Sequence, residues 1–305
     1  MDPQVCILLS SFNGAEYLAE QLDSLVNQTY SNIAISVRDD GSVDNTRKIL
    51  EEYTKRYPRI KVEYGRNIGI SRSFLMLLSQ ADRRCQYFAF CDQDDVWYLD
   101  KIQRAVSRLA SASPDKAALY CSRLEYVGRD LAHLKYSRLF RRYLSFQNAL
   151  AENVATGCTV LMNRSARDLV VSRLPDQCIM HDWWCYLVVS AFGEVVYDDR
   201  PAIKYRLHGE NDTGAALSFI GDMGRRVGRF ARRGFGAFCI HSQAVEFKRV
   251  HGRQLPANKR VTLDRFIDSK CSTVRRFRFA FNPGLYRQST LDNVFFRMLL
   301  VLGWY

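Results

Sequence analysis

The chain has 305 residues, enough to bury a sizeable core as one large domain or two unequal ones; with 47% hydrophobic and 25% charged residues it is neither disordered nor fibrous. Its formal net charge of +12 is unevenly spread: residues 1–214 carry 27 basic and 27 acidic side chains, residues 215–305 carry 17 basic and 5 acidic. The excess points the C-terminal end toward an anionic partner, whether a membrane surface, a nucleic acid or a phosphorylated ligand.

In chain order, the opening MDPQVCILLSSF has no basic leader, and its apolar run at 5–9 is broken by Ser10, Ser11 and Asn13, so it reads as a buried strand rather than a signal peptide. A helix is expected over 17–25, with Leu18, Leu22 and Leu25 on one face, then a strand over 33–37. Asp44 is placed to cap the next helix, which turns Ile49, Leu50 and Tyr53 inward and ends at Pro58. There follow a strand at 60–64, a helix at 71–78, a strand at 87–91, a helix carrying Leu99, Ile102, Val106 and Leu109, and a strand at 117–121. Apolar strands alternating with helices predict an α/β fold with a mostly parallel sheet flanked by helices. Between Ser122 and Asn153 the order loosens around a basic, aromatic stretch, Arg138 to Tyr143. Beyond it, 156–162 reads as a strand, 181–191 as a helix, and 195–197 and 203–206 as short strands. After Gly214 the pattern is helical and basic, an extension laid on the sheet-based core. No apolar run reaches 18 residues, so an integral membrane protein is not expected. Nine cysteines lack paired CxxC spacing, and the isolated ones in apolar runs, such as Cys6, Cys91 and Cys158, read as small buried hydrophobes in a reducing compartment.

Ligands of open parallel sheets bind outside the carboxyl ends of the strands. Three polar clusters fall there: Ser10-Ser11-Phe12-Asn13-Gly14, Asp39-Asp40-Gly41-Ser42 and Asp92-Gln93-Asp94-Asp95. Each alone is ordinary turn composition; three on one rim make a site. The first turn has one glycine, not the G-x-G-x-x-G of a dinucleotide site, and no P-loop occurs. Carboxylates repel bare phosphate, but a divalent cation between them reconciles the two, and Asp92, Asp94 and Asp95 suit Mg²⁺ or Mn²⁺.

Taken together, SSFNG, RDDGSVDNT at 38–46, Asn67 and Gly69, DQDDVW at 92–97 and HDWW at 181–184 resemble the inverting family 2 glycosyltransferases of GT-A fold, over roughly residues 4–210. DQDDVW, HDWW and YRLHGEN at 205–211 are similar to bacterial rhamnosyltransferases of O-antigen and other surface-polysaccharide synthesis. The resemblance implies a domain at 1–214, with nucleotide-sugar binding at about 4–122 and the acceptor and catalytic part at about 123–214. The basic helical extension then occupies 215–305. It implies that Asp40 bonds the pyrimidine base, that Ser11, Phe12, Asn13 and Asn67 line the nucleotide pocket, and that Asp92 and Asp94 form a D-x-D with Asp94 the direct metal ligand. Asp95 would position the donor sugar or neighbouring backbone, Asp182 would be the general base, and His208 would reach the metal or diphosphate. The implied donor is dTDP-L-rhamnose, with a UDP-hexose or UDP-N-acetylhexosamine as the alternative, and the implied acceptor is a lipid-diphosphate-linked oligosaccharide.

Trp183 and Trp184 are divided between stacking on an acceptor sugar and core packing, and Trp97 is expected to pack behind the metal loop. His133, His241 and His251 lack a supporting constellation and read as surface or structural; Arg66 and Arg72 stand between diphosphate contacts and solvated side chains. In the tail, Arg225, Arg226, Arg229, Arg232 and Arg233 recur at helical spacing beside Val227, Phe230 and Phe235. Such a face fits the interface of an anionic membrane, which would place a cytoplasmic enzyme peripherally on the inner face of the plasma membrane. A nucleic-acid-binding protein using the basic tail is the competing class; zinc-ligand spacings, an RNA-recognition signature and a low-complexity basic arm are all missing from the sequence, and no nucleic-acid partner is expected.

Overall fold

The computed structural model describes residues 2–207, 239–281 and 284–305. His208 and the arginine run between Arg225 and Arg233 lie outside them. The first half alternates β1 (Val5–Ser11), α1 (Leu18–Val26), β2 (Ile33–Asp39), α2 (Thr46–Arg56), β3 (Ile60–Tyr64), α3 (Ile70–Gln80) and β4 (Tyr87–Cys91). Next come β5 (Val96–Trp97), α4 (Lys101–Leu109), β6 (Ala118–Val127), β7 (His133–Tyr136), α5 (Phe146–Ala149), β8 (Leu161–Asn163), α6 (Arg164–Val171), α7 (His181–Phe192) and β9 (Glu194–Arg206). Four helices close the described chain: α8 (Ile240–His251), α9 (Ala257–Asp268), α10 (Thr273–Phe281) and α11 (Thr290–Leu302).

The strands form one sheet in the order β3-β2-β1-β4-β8-β6-β9-β5, with β7 added to β6. The pairs β1–β2, β1–β4, β2–β3 and β6–β9 are parallel, whereas β4–β8, β6–β8, β6–β7 and β5–β9 are antiparallel. The sheet is therefore mixed, not mostly parallel. An apolar run buried on both faces carries no mark of its direction; single helices join the first four strands as parallel neighbours, whereas β8 enters antiparallel to both β4 and β6. Three local expectations change as well. Gly157–Thr159 forms a 3₁₀ turn before a three-residue β8, in place of a strand over 156–162. The two expected short strands near 195 and 205 are one strand, β9, whose register against β6 shifts near Arg123. Leu99 precedes α4 and is exposed, while Ile102, Val106 and Leu109 do face inward.

Alternate residues of the central strands feed two cores, one on each sheet face, as a period of two requires. Val5, Ile7 and Leu9 of β1 join α1, α2 and α4 on one face. Cys6 and Leu8 point to the other, where α3, α6 and α7 lie. The helix α7 is apolar nearly all round, with Trp184, Tyr186, Leu187, Val188 and Val189 all buried, so it needs cover on both sides. The C-terminal helices supply the outer cover. Phe247 of α8 meets Trp184 edge-on at 5.9 Å, and Phe266, Phe279, Phe296 and Leu300 extend the same core. Lys259 donates to the carbonyls of Ser190 and Ala191 (3.1 and 2.7 Å), a cation at the carbonyl end of α7. No helix among the described residues is long and apolar enough to cross a membrane.

Candidate active site

The crossover to α3 lies on the opposite face from α1 and α2, so the strand order reverses between β1 and β4 and leaves a crevice above their carboxyl ends. The loops on this rim are stitched together. The Phe12 N–H donates to Gln93 Oε1 (2.8 Å) and its carbonyl accepts from Gln93 Nε2 (3.1 Å), joining the first and third clusters. Asn13, at φ 49°, donates its N–H to Ser42 Oγ (2.9 Å), and its side chain accepts the Val43 N–H (2.9 Å). The Gly14 and Ala15 N–H groups donate to Thr46 Oγ1 and Asp44 Oδ2 (2.8 and 3.0 Å), joining the first cluster to the second. Asp44 also accepts the Thr46 N–H (3.0 Å), an i to i+2 turn bond; the N-cap of α2 is Asn45, not Asp44 as expected, and it makes no side-chain cap bond.

The rim places the nucleotide-pocket candidates side by side. The Phe12 ring is 44% exposed on the crevice edge, and Ser11 Oγ is buried without a hydrogen-bond partner. Asp40 is buried; its carboxylate pairs with Arg38 and accepts the N–H groups of Ile68 (3.1 Å) and Gly69 (3.0 Å). Gly41, at φ 89°, sits so close to the 65–67 backbone that a Cβ would lie 3.1 Å from the Asn67 nitrogen, which sets Asn67 beside Asp40. Arg66 and Arg72 are exposed on the same side.

The acidic cluster is tighter than its sequence spacing conveys. Ligand atoms of Asp92, Asp95 and Cys158 lie within 4.8 Å of one another, while Asp94 is half-buried on the same turn and outside that group. Asp95 is fully buried; one oxygen accepts the Arg206 N–H (3.1 Å) and the other has no hydrogen-bond partner. Burial first, then the neighbouring Asp94 and Asp92 charges, push its carboxyl well above the usual range. A hard divalent cation would relieve that repulsion and take the unpartnered oxygen. The Cys158 thiol is a poor ligand for such an ion, because burial raises it and keeps it protonated. Oxygen donors from Asp92 and Asp95 therefore fit a hard divalent cation.

Two buried cations that sequence reading passed over support this turn. Arg206 donates to the Asp94 carbonyl (3.0 Å), to the Arg129 carbonyl and to Glu20 (2.5 Å), and it stacks over Tyr17. Lys101 donates to the Cys158 carbonyl and lies 3.2 Å from the centroid of the Trp97 ring. Its pKa is pulled down by burial to about 8. Trp97 does pack behind the acidic loop. The one sequence trace of this arrangement is Trp97 and Lys101 four apart at a helix start.

Asp182 lies in the first turn of α7 and is buried. Its carboxylate accepts the Gly157 N–H at 2.7 Å and the Trp183 N–H at 2.6 Å. Burial outweighs these bonds and pushes its pKa up to about 6. Gly157 directly precedes Cys158, so the 3₁₀ turn touches Asp182 on one side and the acidic cluster on the other. A Cβ at Gly157 would stand 3.0 Å from His181 Nε2 and 3.5 Å from Asp182 Cβ. His181 stacks on Phe74 (4.1 Å) and meets Phe90 edge-on (4.8 Å); burial lowers its pKa to about 3, so it is neutral. Trp184 is core, while Trp183 is half-buried and donates to the Ala149 carbonyl (2.7 Å). His133 pairs with Glu125, His241 faces the Ile267 carbonyl and His251 is buried among aromatic rings, all apart from the rim.

The family model for glycosyl transferase family 2 matches residues 6–170, more than half of the chain. The chain belongs to that family. This family 2 glycosyltransferase is 29% identical over 229 residues to a dTDP-rhamnosyl transferase, RfbG, of Shigella flexneri, covering 69% of this chain and 75% of that one. It is 28% identical over 226 residues to an uncharacterized glycosyltransferase of Rickettsia typhi, covering 71% and 68%. Among solved structures it is similar to Staphylococcus aureus TarS (residues 1–349) in complex with UDP-GlcNAc, with a TM-score of 0.58 at 14% identity over 98% of this chain and 81% of that one. It is also similar to the mannosyltransferase PcManGT of Pyrobaculum calidifontis in complex with GDP-Man and Mn²⁺, with a TM-score of 0.57 at 15% identity over 100% and 81%. At such identity the likeness is one of fold: the mixed sheet with its helical C-terminal part is of the GT-A type. The protein is a nucleotide-sugar-dependent glycosyltransferase.

Proposed function

We propose that the enzyme transfers L-rhamnose from dTDP-L-rhamnose, with inversion, to a hydroxyl of a lipid-diphosphate-linked glycan in bacterial surface-polysaccharide synthesis, at the cytoplasmic face of the plasma membrane. The observation that carries the transfer reading is the Gly157–Cys158 turn, which holds a carboxylate titrating near 6 on one side and a metal-fitting acid cluster on the other. The rhamnosyl assignment is supported by DQDDVW, HDWW and YRLHGEN and by the similarity to the Shigella flexneri transferase.

In this reading Phe12, Asn13, Ser11 and Asn67 border the nucleoside, and Asp40 holds the loop of residues 66–69 against it. Asp92 and Asp95, with Asp94 of the D-x-D and His208 as further candidates, would hold a divalent ion whose charge neutralises the leaving diphosphate. Asp182 takes the proton of the acceptor hydroxyl as that oxygen attacks the anomeric carbon opposite the nucleotide; one displacement inverts the centre and needs no covalent enzyme intermediate. The Gly157 and Trp183 amides aim the carboxylate, while burial keeps it basic. A UDP-hexose or UDP-N-acetylhexosamine is the alternative donor, since structures of this fold hold both UDP-GlcNAc and GDP-Man. Incubation with Mg²⁺ or Mn²⁺, a panel of nucleotide sugars and a lipid-linked acceptor should release dTDP from dTDP-L-rhamnose fastest. Release from a UDP-sugar alone would reassign the donor, and no release from any would sink the transfer reading.

A further inference from the structure

The described surface carries one concentrated apolar region away from the crevice. On α10, Val274, Phe277 and Phe281 recur at positions i, i+3 and i+7 and are exposed, Val274 at 61% and Phe281 at 75%. On α11, Leu291, Val294, Met298 and Leu302 form a second exposed stripe, Leu291 at 65% and Val294 at 64%. Each stripe lies opposite the residues that anchor its helix to the core, Phe279 and Ala280 on α10, Phe296 and Leu300 on α11. Both helices are therefore seated on the protein by one face and apolar on the other, and they pack against each other. Trp304, directly after α11, is exposed as well.

The charges carried by this stretch are nearly all of one sign. From residue 273 to the end the chain carries Arg275, Arg276, Arg278, Arg287 and Arg297 but one acid, Asp292. That acid is bound to Arg138 at 2.5 Å. Phe, Leu, Met and Trp on short helices, with arginines beside them, are chemically matched to the boundary between acyl chains and anionic headgroups. A nucleic acid would use the arginines and leave the apolar stripes in water. A second copy of this surface would bring like charges together.

We infer that α10 and α11 form the membrane-docking face of the enzyme and that its occupant is an anionic lipid bilayer. The inference deepens the peripheral placement proposed above, moving the contact from the arginine run at 225–233 to the two last helices. It does not depend on the identity of the donor or acceptor, because vesicle binding is measured without either.

The full-length protein is sedimented with phosphatidylglycerol-containing vesicles and with pure phosphatidylcholine vesicles. Preferential binding to the anionic vesicles, weakened by salt, is expected. Phe277→Ser with Phe281→Ser should cut partitioning by about tenfold or more while leaving the thermal unfolding transition and nucleotide release in solution unchanged. Leu291→Ser with Val294→Ser tests the second stripe by the same criterion. Arg275→Glu with Arg278→Glu should abolish the preference for anionic lipid. Failure to bind either vesicle, or undiminished binding of the two apolar variants, overturns the inference. So does a dimer in light scattering that the apolar substitutions dissociate, or DNA binding that needs the arginines in place of lipid binding.

Discussion

Around the donor crevice every candidate side chain leaves the sheet within a few residues of a strand end, and its neighbours clip it to the next loop. Phe12 is tied to Gln93, Asn13 to Ser42, and Asp40 to the loop after β3. Around Asp182, the proposed base, the pattern is different. Asp182 sits at the start of a helix buried on nearly all sides, held by an amide 25 residues earlier, and the C-terminal helices cover that helix. The first arrangement is polar, made by hydrogen bonds from loop to loop; the second is largely apolar, made by the burial of a helix. In the proposed mechanism, donor binding would then depend on loop hydrogen bonds, and the basicity of Asp182 on how completely α7 is covered.

The sharpest way to break this contrast is Asp182→Asn. Transfer should fall by about 10³-fold, while nucleotide binding, read by calorimetry, stays within a few-fold of the parent. The folded Asp182 carboxyl titrates near 6 against an ordinary 3.8, so the folded state holds the proton more tightly than the unfolded chain. Its contribution to stability is full below 3.8 and is lost as pH rises through 6. The Asn variant carries no buried charge but can accept only one of the Gly157 and Trp183 N–H groups, so its stability should fall less than the parent's between pH 4 and pH 8, whatever its absolute value. A variant as active as the parent would misplace the base; one whose stability falls with pH as steeply as the parent's would show that burial of Asp182 is not the dominant effect.

On the other side of the turn, chelation of divalent cations should abolish transfer, and Asp95→Asn should lower it about 100-fold and raise the Mn²⁺ concentration needed for half-maximal rate. A chelator-resistant enzyme would remove the metal from the reading. Next in size is the pH response. At saturating metal and donor, kcat should drop about tenfold per pH unit below about 6, as Asp182 takes up a proton. A flat profile down to pH 5 would separate Asp182 from the rate. The smallest expected effect is that of Gly157→Ala, whose new methyl would sit 3.0 Å from His181 Nε2 and 3.5 Å from Asp182 Cβ. A few-fold loss in kcat with unchanged KM for the donor would place the disturbance on the catalytic side; a selective rise in donor KM would contradict the division between the two regions.

Much of the donor rim was legible in the sequence, because a strand end followed at once by polar residues needs no knowledge of distant contacts. Asp182 was legible through HDWW and its likeness to a family, not through periodicity. Cys158 looked like an ordinary buried hydrophobe, and its nearness to Asp92 and Asp95 exists because the turn at 157–159 replaces an expected strand. Lys101 and Arg206 were invisible for a related reason. A buried cation is stabilised largely by carbonyls and rings that other segments bring to it, and apart from Trp97 beside Lys101 little in its own neighbourhood declares them.

By itself the sequence determined the alternation of strands and helices, the three loops at strand ends, the acids available to a metal and the concentration of positive charge in the tail. Those properties are local: they follow from a period of two or 3.6, from turn residues and from composition. Only the tertiary structure decided that the sheet is mixed, that Asp95 rather than Asp94 closes on Asp92 and Cys158, and that the tail packs its aromatic residues under α7 while turning other apolar side chains outward. Strand direction, burial and the pKa of Asp182 depend on segments far apart in the chain. Their physical cause is the desolvation and contact that arise once those segments meet.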